Sequence, residues 1–166
     1  MGAAGKEQRV IRLWQDAAED KPPHNNEDFF RFLIKTAMNA QGSLANAYEK
    51  LAALYFQERK FQQAARLYEK SQPIREISSA DIRPLAQLLG NLASCYAMES
   101  KYDQADPLFR RAIALYEESN WLETREALGI MQDYALLLSR TGRTTEAKTM
   151  LEKAQAIQTR LQRSTP

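Results

Sequence analysis

In a chain of 166 residues, 23 basic and 21 acidic side chains nearly cancel to a net charge of +2. They alternate along the sequence, as at Glu69 and Lys70 or Glu152 and Lys153, which argues against the clustered basic face of a nucleic-acid binder. One cysteine, Cys95, excludes an internal disulfide, and one histidine, His24, leaves neither a multi-histidine metal site nor the usual imidazole base.

The first elements in chain order are two apolar segments. Val10, Leu13, Trp14 and Ala17 fall at helical spacing within residues 6–19, and Phe29, Phe30, Phe32, Leu33, Ile34, Ala37 and Met38 form a second, strongly apolar stretch. Between them runs DKPPHNNED, where Pro22 and Pro23 stop the first helix and Asn26 caps the second. Gly42 and Ser43 are expected to break the chain ahead of a first clear repeat. Residues 1–42 therefore read as a helical pair, open to two interpretations: a degenerate repeat capping the apolar edge of a stack, or an amphipathic arm that docks a partner.

Three stretches then repeat one pattern: LAALYFQERKFQQAARLYEKS from Leu51, LASCYAMESKYDQADPLFRRA from Leu92, and YALLLSRTGRTTEAKTMLEKA from Tyr134. In each, a small residue (Ala52, Ala93, Ala135) follows a large one (Leu51, Leu92, Tyr134), with Tyr55, Tyr96 or Leu138 three positions on. That spacing makes one helical face. After a short polar turn come Phe61, Tyr102 and Thr144; then Ala64, Ala105 and Ala147; then Tyr68, Phe109 and Leu151; then Ser71, Ala112 and Ala154. The last three sets are spaced i, i+4, i+7, again one stripe, so each unit is a pair of antiparallel helices whose alanines sit where the axes approach closely. A fixed period of this length marks an α-solenoid, one continuous all-α domain of three repeats at about 45–78, 86–119 and 128–161 within residues 43–163. Asp81 and Pro84 are expected to open the first helix of the second repeat, Asn120 and Glu123 to form a capping box for the third, and Thr141 with Gly142 to end that helix. Pro107 lies inside a predicted helix, where it removes a backbone hydrogen bond and is expected to bend it mildly.

The order of small, aromatic and alanine positions resembles the tetratricopeptide repeat. The resemblance covers about residues 45–161, with Thr144 standing for an aromatic and Tyr134 for the usual leucine in the third unit. Ala64 to Ala105 spans 41 residues and Ala105 to Ala147 spans 42, longer than the family's minimal 34 and similar to the kinesin light chain type; YDQADPLFRRAIALYEES in particular looks like that subgroup's second helix. The resemblance implies a right-handed α-solenoid whose first helices line a concave groove. Carried onto this sequence, the groove residues are Asn46, Glu49, Lys50, Ala53, Phe56 and Gln57 in the first unit, Gln87, Asn91, Ser94 and Met98 in the second, and Gln132, Asp133, Leu136 and Arg140 in the third. Asn91 matches the family's backbone-clamping asparagine, able to donate and accept at once. Lys50 and Asp133 stand where the carboxylate-holding variety carries basic and asparagine residues, which argues against binding of a chaperone's C-terminal tail.

The function this implies is a non-enzymatic protein-interaction module that takes a peptide or partner helix in its groove, with no cofactor and no metal. Cys95 reads as a buried apolar side chain, Asp103 and Asp106 as first-turn helix charge, and no phosphate-cradling glycine motif occurs. No stretch reaches the roughly 18 apolar residues of a membrane span. The N-terminus lacks a secretion signal's apolar core, and Lys6 stands where the myristoylation pattern wants Ser or Thr; the expected setting is cytoplasmic. The alternative is a structural component that self-associates through its edges: Met150, Ile157 and Leu161 are read as an uncovered apolar face on the last helix, suited to a homodimer, unless Gln155, Gln158, Gln162 and Arg163 solvate that end.

Overall fold

A computed structural model describes residues 41–78 and 82–163. The helical pair expected before residue 41, His24 within it, and Asp81 lie outside the described residues. Among those described there are six helices: α1 (Gln41–Gln57), α2 (Phe61–Ser78), α3 (Arg83–Met98), α4 (Tyr102–Glu118), α5 (Arg125–Arg140) and α6 (Thr144–Arg163). At about 1.5 Å per residue, helices of 16 to 20 residues run roughly 24 to 30 Å, the length that a 41- to 42-residue period allows. The chain forms two compact units, one up to Ala80 and one from Asp81.

In the first unit α1 packs on α2. Ala52 and Ala64 are fully buried where the helices meet, and Leu44, Ala45, Tyr48 and Ile74 form a cluster with Leu67 against it. Gly42 and Ser43 do not break the chain; they lie in the first turn of α1, where the leading N–H groups have no intrahelical acceptor and the cost of a poor helix former is small. Pro73, inside α2, escapes the sequence reading, which names only Pro107 as a proline within a helix. Both prolines sit within unbroken helices, each removing one hydrogen bond from a helix held by tertiary packing.

The second unit holds two helix pairs, α3 with α4 and α5 with α6, and α5 packs on both α3 and α4. Ala93 and Ala105 mark one crossing, Ala135 and Ala147 the other, all at most 3% exposed. Cys95 is buried as expected. Tyr134, where leucine is usual, is buried too: its ring lies 5.5 Å from that of Phe109, and its hydroxyl donates to Asp106 Oδ1 at 3.0 Å while accepting from Arg110 Nε at 3.1 Å. Asp106 also takes Arg143 at 2.5 Å and Arg110 at 3.0 Å. So Asp106 is no simple first-turn charge; it ties α4 to α5 and to the start of α6. Gly90 makes room for Ile130 of α5, since a Cβ there would stand 2.5 Å from Ile130 Cγ1 and nearer still to Cδ1.

The turns repeat as strictly as the core. Arg59, Ser100 and Gly142 occupy equivalent places between the two helices of each repeat, and all have φ between 61° and 78°. In each turn the next residue's N–H bonds back five residues: Lys60 to Tyr55 O, Lys101 to Tyr96 O, Arg143 to Leu138 O, at 2.8 to 2.9 Å. This left-handed cap satisfies the last carbonyls of the helix. Thr141 and Gly142 end α5 as expected. Asn120, expected to open α5, instead ends α4 with φ 56°, because asparagine tolerates the left-handed region better than other non-glycine residues. The cap of α5 is Thr124, whose hydroxyl accepts from the Ala127 N–H at 3.2 Å. The start of α3 is Ile82, with no side-chain cap and Pro84 in the first turn.

The last helix departs from its expected stripe. Leu151, placed in the core by spacing, is 43% exposed, whereas Ile157, placed on an uncovered face, is fully buried. Ala147, Ala154 and Ile157 form the buried stripe of α6, a rotation of the helix that moves Leu151 outward; Met150 and Leu161 are half-buried.

Two stability effects arise from this packing. Gly90→Ala gains about 1 kcal/mol of helix propensity but forces Ile130 aside at roughly 1 to 3 kcal/mol, so a net loss of stability is expected in chemical denaturation. Burial raises the Asp106 pKa, but hydrogen bonds from Arg143 and Tyr134 and the charges of Arg110 and Arg143 outweigh it, holding the carboxyl below its ordinary value. A depressed carboxylate contributes stability above its unfolded pKa of about 3.9 that is lost as pH falls through the folded value. Asp106→Asn is expected to cost about 1 to 2 kcal/mol at neutral pH and to flatten the loss of stability below about pH 4, read from thermal melts across that range.

Candidate functional site

The side chains not consumed by packing on the first helix of each pair define the face to consider. On α1, Asn46, Lys50, Ala53 and Gln57 are exposed and succeed one another at i, i+4, i+7, i+11, a single stripe along the helix. Asn46 is partly engaged, its Oδ1 accepting from Arg75 Nη2 at 2.5 Å. Glu49, read from sequence as a groove residue, joins α1 to α2: it accepts from Ser71 Oγ at 2.6 Å and from Arg75 Nε and Nη2 at 2.7 and 2.8 Å. The hydroxyl of fully buried Ser71 needs that acceptor. Phe56 is half-buried and meets Phe61 edge-on at 5.2 Å.

In the second unit the residues named from sequence lie on α3 and α5, which pack together. Ser94 is buried at 8% exposure and donates to Oδ2 of exposed Asp133 at 2.6 Å, so this pair stitches α3 to α5. Gln87 and Asn91 are half-buried and bonded to each other, Gln87 Nε2 donating to Asn91 Oδ1 at 3.1 Å. Gln132 and Arg140 are exposed. Met98 and Leu136 stand out, being 40% and 51% exposed on helices whose other large apolar side chains are mostly buried.

Sequence reasoning missed a second feature of this unit. An open pocket of about 290 Å³ is lined by Arg83, Pro84, Gln87, Tyr116, Trp121, Thr124 and Glu126. The Arg83 guanidinium lies over the Trp121 ring at 3.9 Å from its centroid, and the Tyr116 hydroxyl donates to Gln87 Oε1 at 2.9 Å. Trp121 sits in the link between α4 and α5, outside any helical stripe, so periodicity carries no signal for it; an aromatic in a polar link was the one available hint.

The Cys95 thiol is pushed up to about 12 by burial, with the Glu99 carboxylate adding to the shift, so it is not a thiolate near neutral pH. Among the described residues no group of three or more His, Cys, Asp or Glu side chains could hold a metal ion. Among them, too, no helix is long and apolar enough to cross a membrane.

Comparison with known proteins agrees with this geometry. Two family models, both described as tetratricopeptide repeat, match residues 43–118 and 128–159, which span all three helix pairs. Among solved structures, a putative kinesin light chain of Podosopora anserina with nearly identical TPR-like repeats is similar over 96% of this chain and 70% of its own, with 21% identity and a TM-score of 0.61. A substituted form of that protein gives 21% identity and a TM-score of 0.62 over 96% of this chain and 69% of its own. A search of curated proteins gives no match. The repeating crossings and turns, with these matches, make the chain a member of the tetratricopeptide repeat family, an all-α solenoid whose fold is similar to that of kinesin light chain-like repeats.

Proposed function

We propose that the chain is a non-enzymatic protein-interaction module which takes an extended peptide or a partner helix on the face that α3 and α5 present. The observation that carries this reading is the exposure of Met98 and Leu136, large apolar side chains on two packed helices that also carry Asn91, Gln132 and Arg140, as an apolar centre with a polar rim requires. The exposed stripe of α1, with Lys50 and Gln57, offers a separate recognition surface in the first unit. Repeats of this family serve as protein-binding scaffolds, and the reading needs no cofactor and places the protein in the cytoplasm, where an unpaired Cys95 is unremarkable. Neither nucleic acid nor membrane enters it, for the charges are interspersed and nearly balanced.

Leu136→Glu removes the apolar centre without touching the core, so its melting behaviour is expected to match the unaltered chain. Its affinity for peptides selected from a random display library on the whole chain is expected to drop at least tenfold, and Asn91→Ala to weaken the same peptides roughly three- to tenfold. Unchanged affinity in calorimetric titration of both variants would count against this face.

The exposure of Leu151 favours a second reading, in which the last helix mediates self-association. It replaces Ile157, now buried, as the residue on which that idea turns. Light scattering at high protein concentration is expected to show mass above the monomer that Leu151→Glu abolishes; a strict monomer at every concentration removes this reading.

A further inference from the structure

Three polar side chains form one directed chain across the second unit. The Tyr116 hydroxyl of α4 donates to Gln87 Oε1 at 2.9 Å, and Gln87 Nε2 donates to Asn91 Oδ1, one turn further along α3, at 3.1 Å. Tyr116 is 3% exposed. Burial, with the Glu126 carboxylate adding to it, raises its pKa well above the ordinary phenol value, so the hydroxyl keeps its hydrogen across the pH range of cells.

That hydrogen decides how the other two amides face. A buried hydroxyl needs an acceptor, and a primary amide presents oxygen on one side and nitrogen on the other. Turning Gln87 round would bring its N–H groups to Tyr116 and leave the phenol hydrogen unmatched. With the Gln87 oxygen held by Tyr116, its nitrogen faces Asn91, and Asn91 answers with Oδ1. The planar Asn91 carboxamide then carries its two N–H donors on the opposite edge. An asparagine free to turn offers donor and acceptor alike, whereas one fixed at its oxygen discriminates.

We infer that Tyr116 is a specificity-determining positioning residue: through Gln87 it holds Asn91 as a hydrogen-bond donor, so that the α3–α5 face selects a main-chain carbonyl oxygen of a bound peptide at this point. This rests on the peptide-binding reading given above. Tyr116 lies on a second helix, which the concave-face pattern does not include, and it acts on the ligand only through Gln87 and Asn91.

Side-chain amide ¹⁵N spectra of the whole chain, with no ligand present, read the relay by itself. In Tyr116→Phe, which keeps the ring and its packing, the amide pairs of both Gln87 and Asn91 are expected to move and to exchange with solvent several-fold faster. In Gln87→Glu, whose carboxylate accepts from Tyr116 but cannot donate, the Asn91 pair is expected to shift downfield as it turns to donate. Asn91 signals unmoved in both variants overturn the relay. A second arm uses the strongest-binding peptide recovered from a random display library on the unaltered chain. Tyr116→Phe is expected to weaken that peptide roughly three- to tenfold, and to have no further effect once Asn91→Ala is present. An equal loss in the Asn91→Ala background overturns the role in recognition. A library that yields no binder overturns the peptide reading, while the amide spectra decide the relay independently.

Discussion

Each helix pair in this chain depends on two backbones approaching closely at one crossing, and the side chains at that crossing are alanines. Ala52 with Ala64, Ala93 with Ala105, and Ala135 with Ala147 are all nearly or fully buried. A methyl group permits an interaxial distance near the short end of the usual 8 to 10 Å, and the wedges beside the crossing then take large side chains such as Tyr68 and Phe109. Gly90 carries the same constraint from one pair to the next, where even a methyl would run into Ile130. Enlarging any of these residues would separate helices whose remaining contacts are shaped for the closer distance.

Polar contacts act on this scaffold by choosing its register more than by adding stability. Exposed ion pairs such as Lys148 with Glu152 contribute little. The partly buried clasps differ, because each has several bonds converging on one carboxylate: Glu49 between Ser71 and Arg75, and Asp106 among Arg110, Tyr134 and Arg143. Both carboxylates bridge separate helices, and removing one would strand buried donors. Their use inside the scaffold also explains why they are unavailable outside it. Glu49 and the Ser94–Asp133 pair bridge helices at positions along the first helices that the family pattern gives to ligand-contacting residues.

The surface left for recognition is the part that packing does not consume. Met98 and Leu136 are exposed, and Asn91 is joined through Gln87 to the buried Tyr116 hydroxyl. On the proposed reading, such a face would meet main-chain atoms through a fixed donor and side chains through a small apolar centre. A pre-oriented donor loses less freedom on binding than a mobile one, which makes the buried partner of an amide as relevant to selectivity as the amide itself.

The sequence by itself determined the helices, their pairing and the crossings, because the 41- to 42-residue period and the alanine positions arise from helical geometry alone. It also carried the end of α5 at Gly142, since only a residue tolerant of positive φ suits that turn. The left-handed Arg59 and Ser100 were hidden, being residues with no intrinsic preference for such a conformation; only the equivalence of the three turns reveals them. Asn120 could serve as the start of one helix or the end of another, and the backbone chose the end. Leu151 and Ile157 lie within two turns of each other, and a modest rotation of α6 decides which one is buried. The site obeyed the same division. Periodicity located the outward stripe of each first helix, but the neighbours that Glu49, Ser94 and Gln87 meet lie 22 to 39 residues away in sequence. Tertiary structure alone brings those partners within hydrogen-bond range, because the crossing of the helices, and not the spacing along any one of them, sets which side chains meet.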